Sequence, residues 1–193
     1  MGKVIFTDID DTVLNFSDAI IEWVKKKGME VTDITHRESL SLMKVLNCNR
    51  MKAKQIAYEF SVEYPNMARL APEPDALEVL PKLHKQGYEF VGITSCVNTP
   101  DVIKWRTRNL EQAFGFKWKS LHCVGLENPK AGLLKWYDKS IWVEDNLTHA
   151  IAGSEAGHRT FLLDRPHNQT SDLGKITRVK NWMDIAAHLE TNS

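Results

Sequence analysis

The chain has no excess of charge of either sign, because 25 basic and 25 acidic residues balance among its 193 residues. A broad electrostatic attraction to nucleic acid or to an anionic membrane is therefore not expected. The longest apolar runs fall well short of the roughly 20 residues that cross a bilayer. The apolar run at residues 4–6 is too short for the core of a signal peptide. These absences favour a cytoplasmic protein.

Cysteine is scarce, and its three copies, Cys48, Cys96 and Cys123, lie far apart without the paired spacing of a zinc site. We expect buried free thiols, which suit a reducing compartment. The sequence also lacks internal repeats and low-complexity tracts. Its length predicts one core domain with at most a modest insertion.

Short apolar runs alternate with stretches of helical spacing along most of the chain. The runs predict strands at residues 4–7, 88–93, 120–124, 140–143 and 159–163. Helices are predicted after Ser17 or Asp18 as a cap, and at about 75–86, 100–113, 130–137, 148–156 and 182–189. This alternation predicts an α/β fold with a Rossmann-like parallel sheet and helices on both faces.

Polar residues follow three of the predicted strands. Asp8, Thr94 and Asp145 each come directly after an apolar run. Ligands of parallel sheets bind beyond the carboxyl ends of the strands, where these residues meet. The sequence therefore predicts an active site at this edge.

The carboxylates of this edge predict a metal site. Asp8 and Asp10 are two residues apart, so in extended chain they point the same way. Paired carboxylates repel unless a cation or a shared proton lies between them. Asp145 adds a third oxygen ligand, which suits Mg²⁺. The alternative is a simple acidic turn and helix cap.

Three segments resemble motifs of the haloacid dehalogenase superfamily. Residues 4–14 are similar to the first motif, residues 90–95 to the second and residues 142–146 to the fourth. The resemblance spans most of the chain and implies a haloacid dehalogenase-like core.

The resemblance also implies roles for individual residues. Asp8 would be the nucleophile and Asp10 the general acid/base. Thr94 would donate its hydroxyl to a phosphoryl oxygen. Asp8, Asp10, Glu144 and Asp145 would hold the metal. An aspartate rather than an apolar residue at position 10 favours phosphatase over dehalogenase chemistry.

The lysine of the third motif has more than one candidate. Lys130 follows Pro129 and opens a short predicted helix just before the fourth strand. Lys104 lies on the helix after Thr94, and Arg106 is a third candidate. We expect Lys130 to be the catalytic cation and Lys104 to contact substrate.

A long connection separates the first two strands. Residues 15–70 exceed an ordinary core connection and have helical periodicity. They predict a small helical cap, with residues 1–14 and 71–193 forming the catalytic core. Caps in this superfamily select substrates.

The substrate is predicted from further resemblances. Residues 15–16, 94–95, 164–168 and 178–182 look like the 5'(3')-deoxyribonucleotidase family, although Asp11 stands where those enzymes usually have glycine. Glu144 and Asp145 with the following asparagine are closer to sugar-phosphate phosphatases. We expect Ser95 and Phe16 to contact the substrate.

Other aromatic residues of the cap also have two interpretations. Trp23, Tyr58, Phe60 and Tyr64 lie in or near the predicted cap. One or two could stack on a nucleobase, while the alternative is that they form the core of the cap.

The sequence thus predicts a Mg²⁺-dependent phosphomonoesterase with an aspartyl-phosphate intermediate, acting on a small phosphorylated substrate such as a nucleoside 5'(3')-monophosphate. The alternatives are a nucleic-acid 3'-end phosphatase, a sugar-phosphate phosphatase and a catalytically silent binding protein. Neutral charge disfavours a nucleic-acid partner, because a groove that follows a strand needs Lys and Arg. No membrane partner is expected.

Overall fold

A computed structural model of the protein describes residues 3–32, 42–126 and 128–191. Six strands form one sheet in which every neighbouring pair is parallel. They are β1 (Lys3–Thr7), β2 (Tyr88–Thr94), β3 (Ser120–Cys123), β4 (Ile141–Glu144), β5 (Arg159–Leu163) and β6 (Thr177–Val179). The predicted α/β fold with a parallel sheet is confirmed. The sequence did not indicate β6, because three residues are too few to show a periodicity.

Eight helices occur in the described ranges. They are α1 (Phe16–Lys26), α2 (Leu42–Val45), α3 (Arg50–Val62), α4 (Pro74–Lys85), α5 (Pro100–Phe114), α6 (Ala131–Trp136), α7 (Leu147–Glu155) and α8 (Trp182–Glu190). Short 3₁₀ turns lie at Asn66–Ala68 and Pro166–Asn168. Every helix described is too short or too polar to span a bilayer.

The strand order is β3-β2-β1-β4-β5-β6. The chain leaves β1 for β2 on one side and later returns to β4 on the other. The ends of these three strands therefore border the crevice where the order reverses, which is the usual ligand site of such sheets. Asp8 lies in this crevice, since its backbone N–H donates to the Val143 carbonyl at 2.9 Å and continues the ladder beyond β1.

A glycine lets the loop after β1 pack closely on β2. A Cβ on Gly92 would lie 2.7 Å from Leu121 Cδ1 and 2.9 Å from Ile9 Cδ1. Ile9 is fully buried between the two acidic residues of the first motif. Its side chain anchors the backbone of both neighbours, because protein interiors leave no room for it to shift.

The N-cap of helix α1 lies two residues before Ser17 and three before Asp18, the two predicted caps. Asn15 is the N-cap, and its side chain accepts a hydrogen bond from the Asp18 N–H. Ser17 and Asp18 lie inside the first turn, where an acidic residue also favours the helix dipole. Ile20 and Val24, four residues apart, pack into the core.

The connection between β1 and α4 carries helices α1, α2 and α3, as its periodicity predicts. Part of the predicted helical stretch, residues 33–41, lies outside the described residues. Phe60 of α3 is buried and makes edge contacts with Phe16 at 5.3 Å and with Trp23 at 5.8 Å between ring centroids. Phe60 thus joins α3 to α1.

Candidate active site

Asp8 and Lys130 form a buried ion pair at the end of β1. Lys130 Nζ lies 2.7 Å from Asp8 Oδ1, and both side chains are almost wholly buried. Lys130 is positioned by its place as the N-cap residue of α6 and by the ring of Trp142, whose centroid lies 5.4 Å from Nζ. The pKa of Asp8 is raised to about 6, because burial and repulsion from Asp145 and Asp10 outweigh the lowering by Lys130.

Glu144 shares the same lysine. Both of its carboxylate oxygens lie within hydrogen-bond distance of Lys130 Nζ, at 3.2 and 3.3 Å. Burial raises the pKa of Glu144 well above its ordinary value, and repulsion from Asp8 raises it further. For Lys130 itself burial lowers the pKa, but Asp8 and Glu144 outweigh this and hold it above the ordinary value.

Three buried carboxylates converge beside this lysine. One oxygen each from Asp8, Glu144 and Asp145 lies within 4.8 Å of the other two. Three acidic groups so close together leave negative charge that Lys130 alone does not offset, and hard carboxylate oxygens are the ligands that Mg²⁺ prefers. The residues therefore fit a magnesium ion held by oxygens of Asp8, Glu144 and Asp145.

The loop after β5 fixes the position of Asp145. Asn168 Nδ2 donates to the Asp145 carbonyl oxygen at 2.6 Å and to the Leu163 carbonyl at 2.7 Å. His167 Nε2 lies 2.9 Å from the same Asp145 carbonyl and 3.3 Å from Oδ2. Two residues of the 164–168 stretch, His167 and Asn168, therefore hold Asp145 in place.

Asp10 lies apart from the three carboxylates and has different partners. Its Oδ2 accepts a hydrogen bond from Thr94 Oγ1 at 3.0 Å, and its Oδ1 lies 2.7 Å from an Arg106 guanidinium nitrogen. Sequence reasoning placed Asp10 among the metal ligands and Arg106 among the phosphate-binding cations. The structure pairs these two side chains with each other, and both assignments stay predictions.

The two hydroxyls at the end of β2 differ in what they can offer a substrate. A threonine hydroxyl has one hydrogen to donate, and Thr94 gives it to Asp10. Ser95 lines the cavity, and its buried Oγ has no hydrogen-bond partner among the described residues. Ser95, rather than Thr94, therefore has the free donor for a phosphoryl oxygen in this arrangement.

Asp11 adopts a left-handed conformation that few residues with a side chain tolerate, with φ of 57°. Its Oδ1 accepts from the Phe16 and Ser17 N–H groups at 3.1 and 2.9 Å, and its Oδ2 accepts from Ser17 Oγ. Burial raises the pKa of Asp11 to about 7. The Asp11 carboxylate thus ties this turn to the start of α1.

A cavity of about 230 Å³ opens above these groups. We call its polar side the floor, formed by Asp8, Asp10, Ser95, Lys130, Glu144 and Asp145. We call its apolar side the roof, formed by Phe16, Ile20, Ile21, Leu42 and Val45. The floor comes from the ends of β1, β2 and β4 and, for Lys130, from the start of α6. The roof comes from the connection after β1.

Several predicted residues lie away from this cavity. Lys104 is exposed on α5 and does not line it. Tyr58 and Tyr64 are also exposed, at 48% and 60%, whereas Phe60 is 1% exposed and supports Phe16 from behind. Among the aromatic candidates in the described part of residues 15–70, Phe16 is the one that lines the cavity.

Two cavity residues received no role in the sequence analysis. Asn146, the last residue of the fourth motif, and His149 both line the cavity. Asn146 is the N-cap of α7. Burial lowers the pKa of His149 to about 4, so its imidazole is neutral near pH 7. An asparagine shortly after a predicted strand was the signal for this helix start.

The cysteines behave largely as expected. All three thiols are free, with Cys96 buried and Cys48 and Cys123 partly buried. None of them lines the cavity. The sequence prediction of free thiols therefore stands, while full burial applies to Cys96 alone.

No protein-family model matches the chain, and a search of curated proteins finds no match either. Solved structures do match over nearly the full length. A haloacid dehalogenase-like family hydrolase from Streptococcus pneumoniae is 16% identical, with a TM-score of 0.68 and coverage of 97% of this chain and 98% of that one.

Two further structures show the chemical range of these matches. The HAD-hydrolase YfnB from Bacillus subtilis, bound to magnesium, is 14% identical, with a TM-score of 0.61 and coverage of 98% and 99%. L-2-haloacid dehalogenase from Xanthobacter autotrophicus, with chloropropionic acid covalently bound, is 11% identical, with a TM-score of 0.60 and coverage of 100% of both chains. The chain therefore has the haloacid dehalogenase-like fold.

Proposed function

We propose that the protein is a Mg²⁺-dependent phosphohydrolase in which Asp8 attacks a phosphate monoester. The observation that carries the proposal is the buried group of Asp8, Glu144 and Asp145 beside Lys130 at the floor of the cavity. Displacement of a halide from carbon does not require so much negative charge around the nucleophile. A phosphate and a divalent cation, in contrast, fit such a floor together.

The residues of the floor divide the reaction between them. Asp8 forms a bond to phosphorus as the bond from phosphorus to the leaving oxygen breaks, which splits one hard displacement into two easier ones. Asp10 gives a proton to the leaving oxygen and later takes one from the water that hydrolyses the aspartyl phosphate. Lys130 and the Ser95 hydroxyl hold the phosphoryl oxygens. A bound Mg²⁺ would offset the charges of Asp8, Asp145 and the phosphate.

A dehalogenase is the second candidate, because dehalogenases are among the structures with this fold. That chemistry also uses a carboxylate nucleophile. Asp10 disfavours it, since a halide leaves as an anion and needs no proton from a neighbouring acid.

We further propose that residues 15–70 act as a cap over the core of residues 1–14 and 71–193, and that the substrate is a nucleoside 5'(3')-monophosphate. Phe16 gives the roof one aromatic face on which a base could stack. The other roof residues are aliphatic and suit an uncharged leaving group. Sugar phosphates are the alternative, and they would gain little from such a roof.

The test is phosphate release from para-nitrophenyl phosphate after metal removal and after addition of Mg²⁺, with halide release from 2-chloropropionate in parallel. We expect Mg²⁺-dependent phosphate release that Asp8→Asn abolishes, because an amide cannot form the acyl phosphate. Halide release without phosphate release would overturn the proposal. Deoxyribonucleotides, ribonucleotides, sugar phosphates and 3'-phosphorylated oligonucleotides then identify the substrate.

A further inference from the structure

Arg106 is a fully buried charge with a single acidic partner in the described chain. Its side chain reaches from α5 to Asp10 and has no exposed surface. One guanidinium nitrogen lies 2.7 Å from Asp10 Oδ1, another lies 3.7 Å from Met67 Sδ, and Nε has no partner in the described ranges. Burying a charge is costly unless it is paired, so this arginine depends on Asp10.

The contacts of Asp10 fix its carboxylate from one side. Thr94 donates to one oxygen and Arg106 to the other, so the carboxylate plane cannot rotate without breaking one of these bonds. Asp10 lines the cavity, whereas Arg106 does not. Arg106 therefore holds Asp10 from outside the cavity, and the remaining lone pairs of the Asp10 oxygens are left for groups in the cavity.

Two buried cations thus hold acidic side chains of the floor. Lys130 pairs with Asp8 and Glu144, and Arg106 pairs with Asp10. One cation holds the proposed nucleophile and the other holds its neighbour two residues later. Since both cations are buried, neither can exchange partners without a large rearrangement of the core.

We propose that Arg106 is a positioning residue that orients Asp10 toward the leaving-group oxygen of the substrate. This inference rests on the proposed phosphohydrolase function. Asp10 passes its proton to the leaving oxygen as that oxygen separates from phosphorus, and it regains a proton from the attacking water in the second step. Both transfers require the same carboxylate geometry, which Arg106 and Thr94 maintain.

The dependence of kcat/KM on the leaving group of the substrate distinguishes this positioning role from a purely structural one. para-Nitrophenolate leaves without help from an acid, whereas an alkoxide needs a proton. For Arg106→Met we expect kcat/KM on para-nitrophenyl phosphate to fall less than about fivefold, while kcat/KM on an alkyl phosphate falls about a hundredfold, the usual scale of general acid catalysis. Arg106→Lys, which retains the charge but has fewer donors, should lie between wild type and Arg106→Met.

The matched control is Arg108→Met, an exposed position on the same helix, which should leave both substrates unaffected. Thermal melting identifies which variants fold. If Arg106→Met does not fold, Arg106→Lys and the double variant with Asp10→Asn carry the test, because neither leaves a buried charge unpaired. When Asp10→Asn is already present, the additional loss of Arg106 should not change the ratio of the kcat/KM values on the two substrates.

Equal losses on both substrates in folded Arg106 variants would overturn the inference, because they would indicate a structural role only. A further alkyl-specific loss in the double variant would also overturn it, because Arg106 would then act without Asp10. Failure of the proposed function is recognised separately. In that case the wild-type protein itself releases no phosphate from either substrate. The wild type alone therefore tests the proposed function, independently of the Arg106 variants.

Discussion

The floor and the roof of the cavity are held by different forces. Polar groups of the floor have short, directional contacts, such as 2.7 Å from Lys130 to Asp8 and 2.7 Å from Arg106 to Asp10. The roof is apolar and packs through contacts such as that of Phe16 on Phe60. Directional contacts set the positions of reacting atoms closely, whereas apolar packing tolerates changes of shape. Substitutions in the floor should therefore affect turnover, and those in the roof should affect selectivity.

The largest expected effect follows loss of Lys130. Lys130→Ala leaves Asp8 and Glu144 buried without their cation, which should cost about 3–5 kcal/mol of the free energy of unfolding. Turnover of para-nitrophenyl phosphate should fall at least about a hundredfold, since a preorganised charge near the phosphoryl group is lost. Steady-state kinetics and urea denaturation measure the two effects.

Lys104→Ala is the matched control, since Lys104 is the exposed lysine that sequence reasoning could not separate from Lys130. We expect its stability to remain within about 0.5 kcal/mol of wild type. A larger loss of turnover for Lys104→Ala than for Lys130→Ala would remove Lys130 from the phosphate site.

The limit of sequence reasoning is visible in these two lysines. The predicted strand ends indicated that Asp8, Thr94 and Asp145 meet at one edge of the sheet, because parallel strands bring their carboxyl ends to the same edge. Sequence position favoured Lys130, which opens a helix just before the fourth strand, but it kept Lys104 as an alternative. Packing separates them, since it places Lys130 over the ring of Trp142 and leaves Lys104 in solvent.

The helical spacing of residues in α5 contained one signal that the sequence analysis did not use. Val102, Arg106 and Leu110 are four residues apart on α5, and all three are buried. An arginine within such an apolar stripe indicates a charge that faces inward, toward an acidic partner. The identity of that partner, Asp10, depends on tertiary contacts across 96 residues of sequence and could not be read from spacing.

Helical spacing also separates the buried from the exposed aromatic residues of α3. Ile56 and Phe60 are four residues apart and form the buried side of α3. Tyr58 lies between them in sequence and therefore points away from that side, which explains its 48% exposure. Periodicity could thus have removed Tyr58 from the cavity, whereas it could not place Phe16 in it.

An intermediate effect concerns metal binding at the floor. Magnesium at a hundredfold excess over its dissociation constant should stabilise the folded protein by about 2.7 kcal/mol, which corresponds to a rise of roughly 5–10 °C in Tm for a chain of this size. In Asp145→Asn this rise should largely disappear, because one of the carboxylates is lost. Differential scanning fluorimetry with and without Mg²⁺ measures it.

The control for this prediction is Asp164→Asn, an acidic residue that also follows a strand but pairs with Arg178 in an exposed position. Its response to Mg²⁺ should equal that of wild type. Without metal, Asp145→Asn should be no less stable than wild type, since it removes a charge that repels Asp8. An unchanged Mg²⁺ response in Asp145→Asn would exclude the proposed ligand set.

The smallest expected effect belongs to the roof. Phe16→Ala removes the aromatic face while leaving intact the Phe16 N–H that donates to Asp11. Hydrolysis of para-nitrophenyl phosphate should persist within about tenfold, a loss of roughly 1.4 kcal/mol, because the reacting groups belong to the floor. For deoxyribonucleotides KM should rise about fivefold, which corresponds to about 1 kcal/mol of lost stacking. Tyr64→Ala, on an exposed aromatic residue outside the cavity, should change neither value.

If folded Phe16→Ala hydrolysed no substrate at all, the roof would hold essential chemistry, and its separation from the floor would be wrong. If Tyr64→Ala shifted nucleotide selectivity as much as Phe16→Ala, the base would bind outside the cavity, and the roof would lose its proposed part in substrate choice.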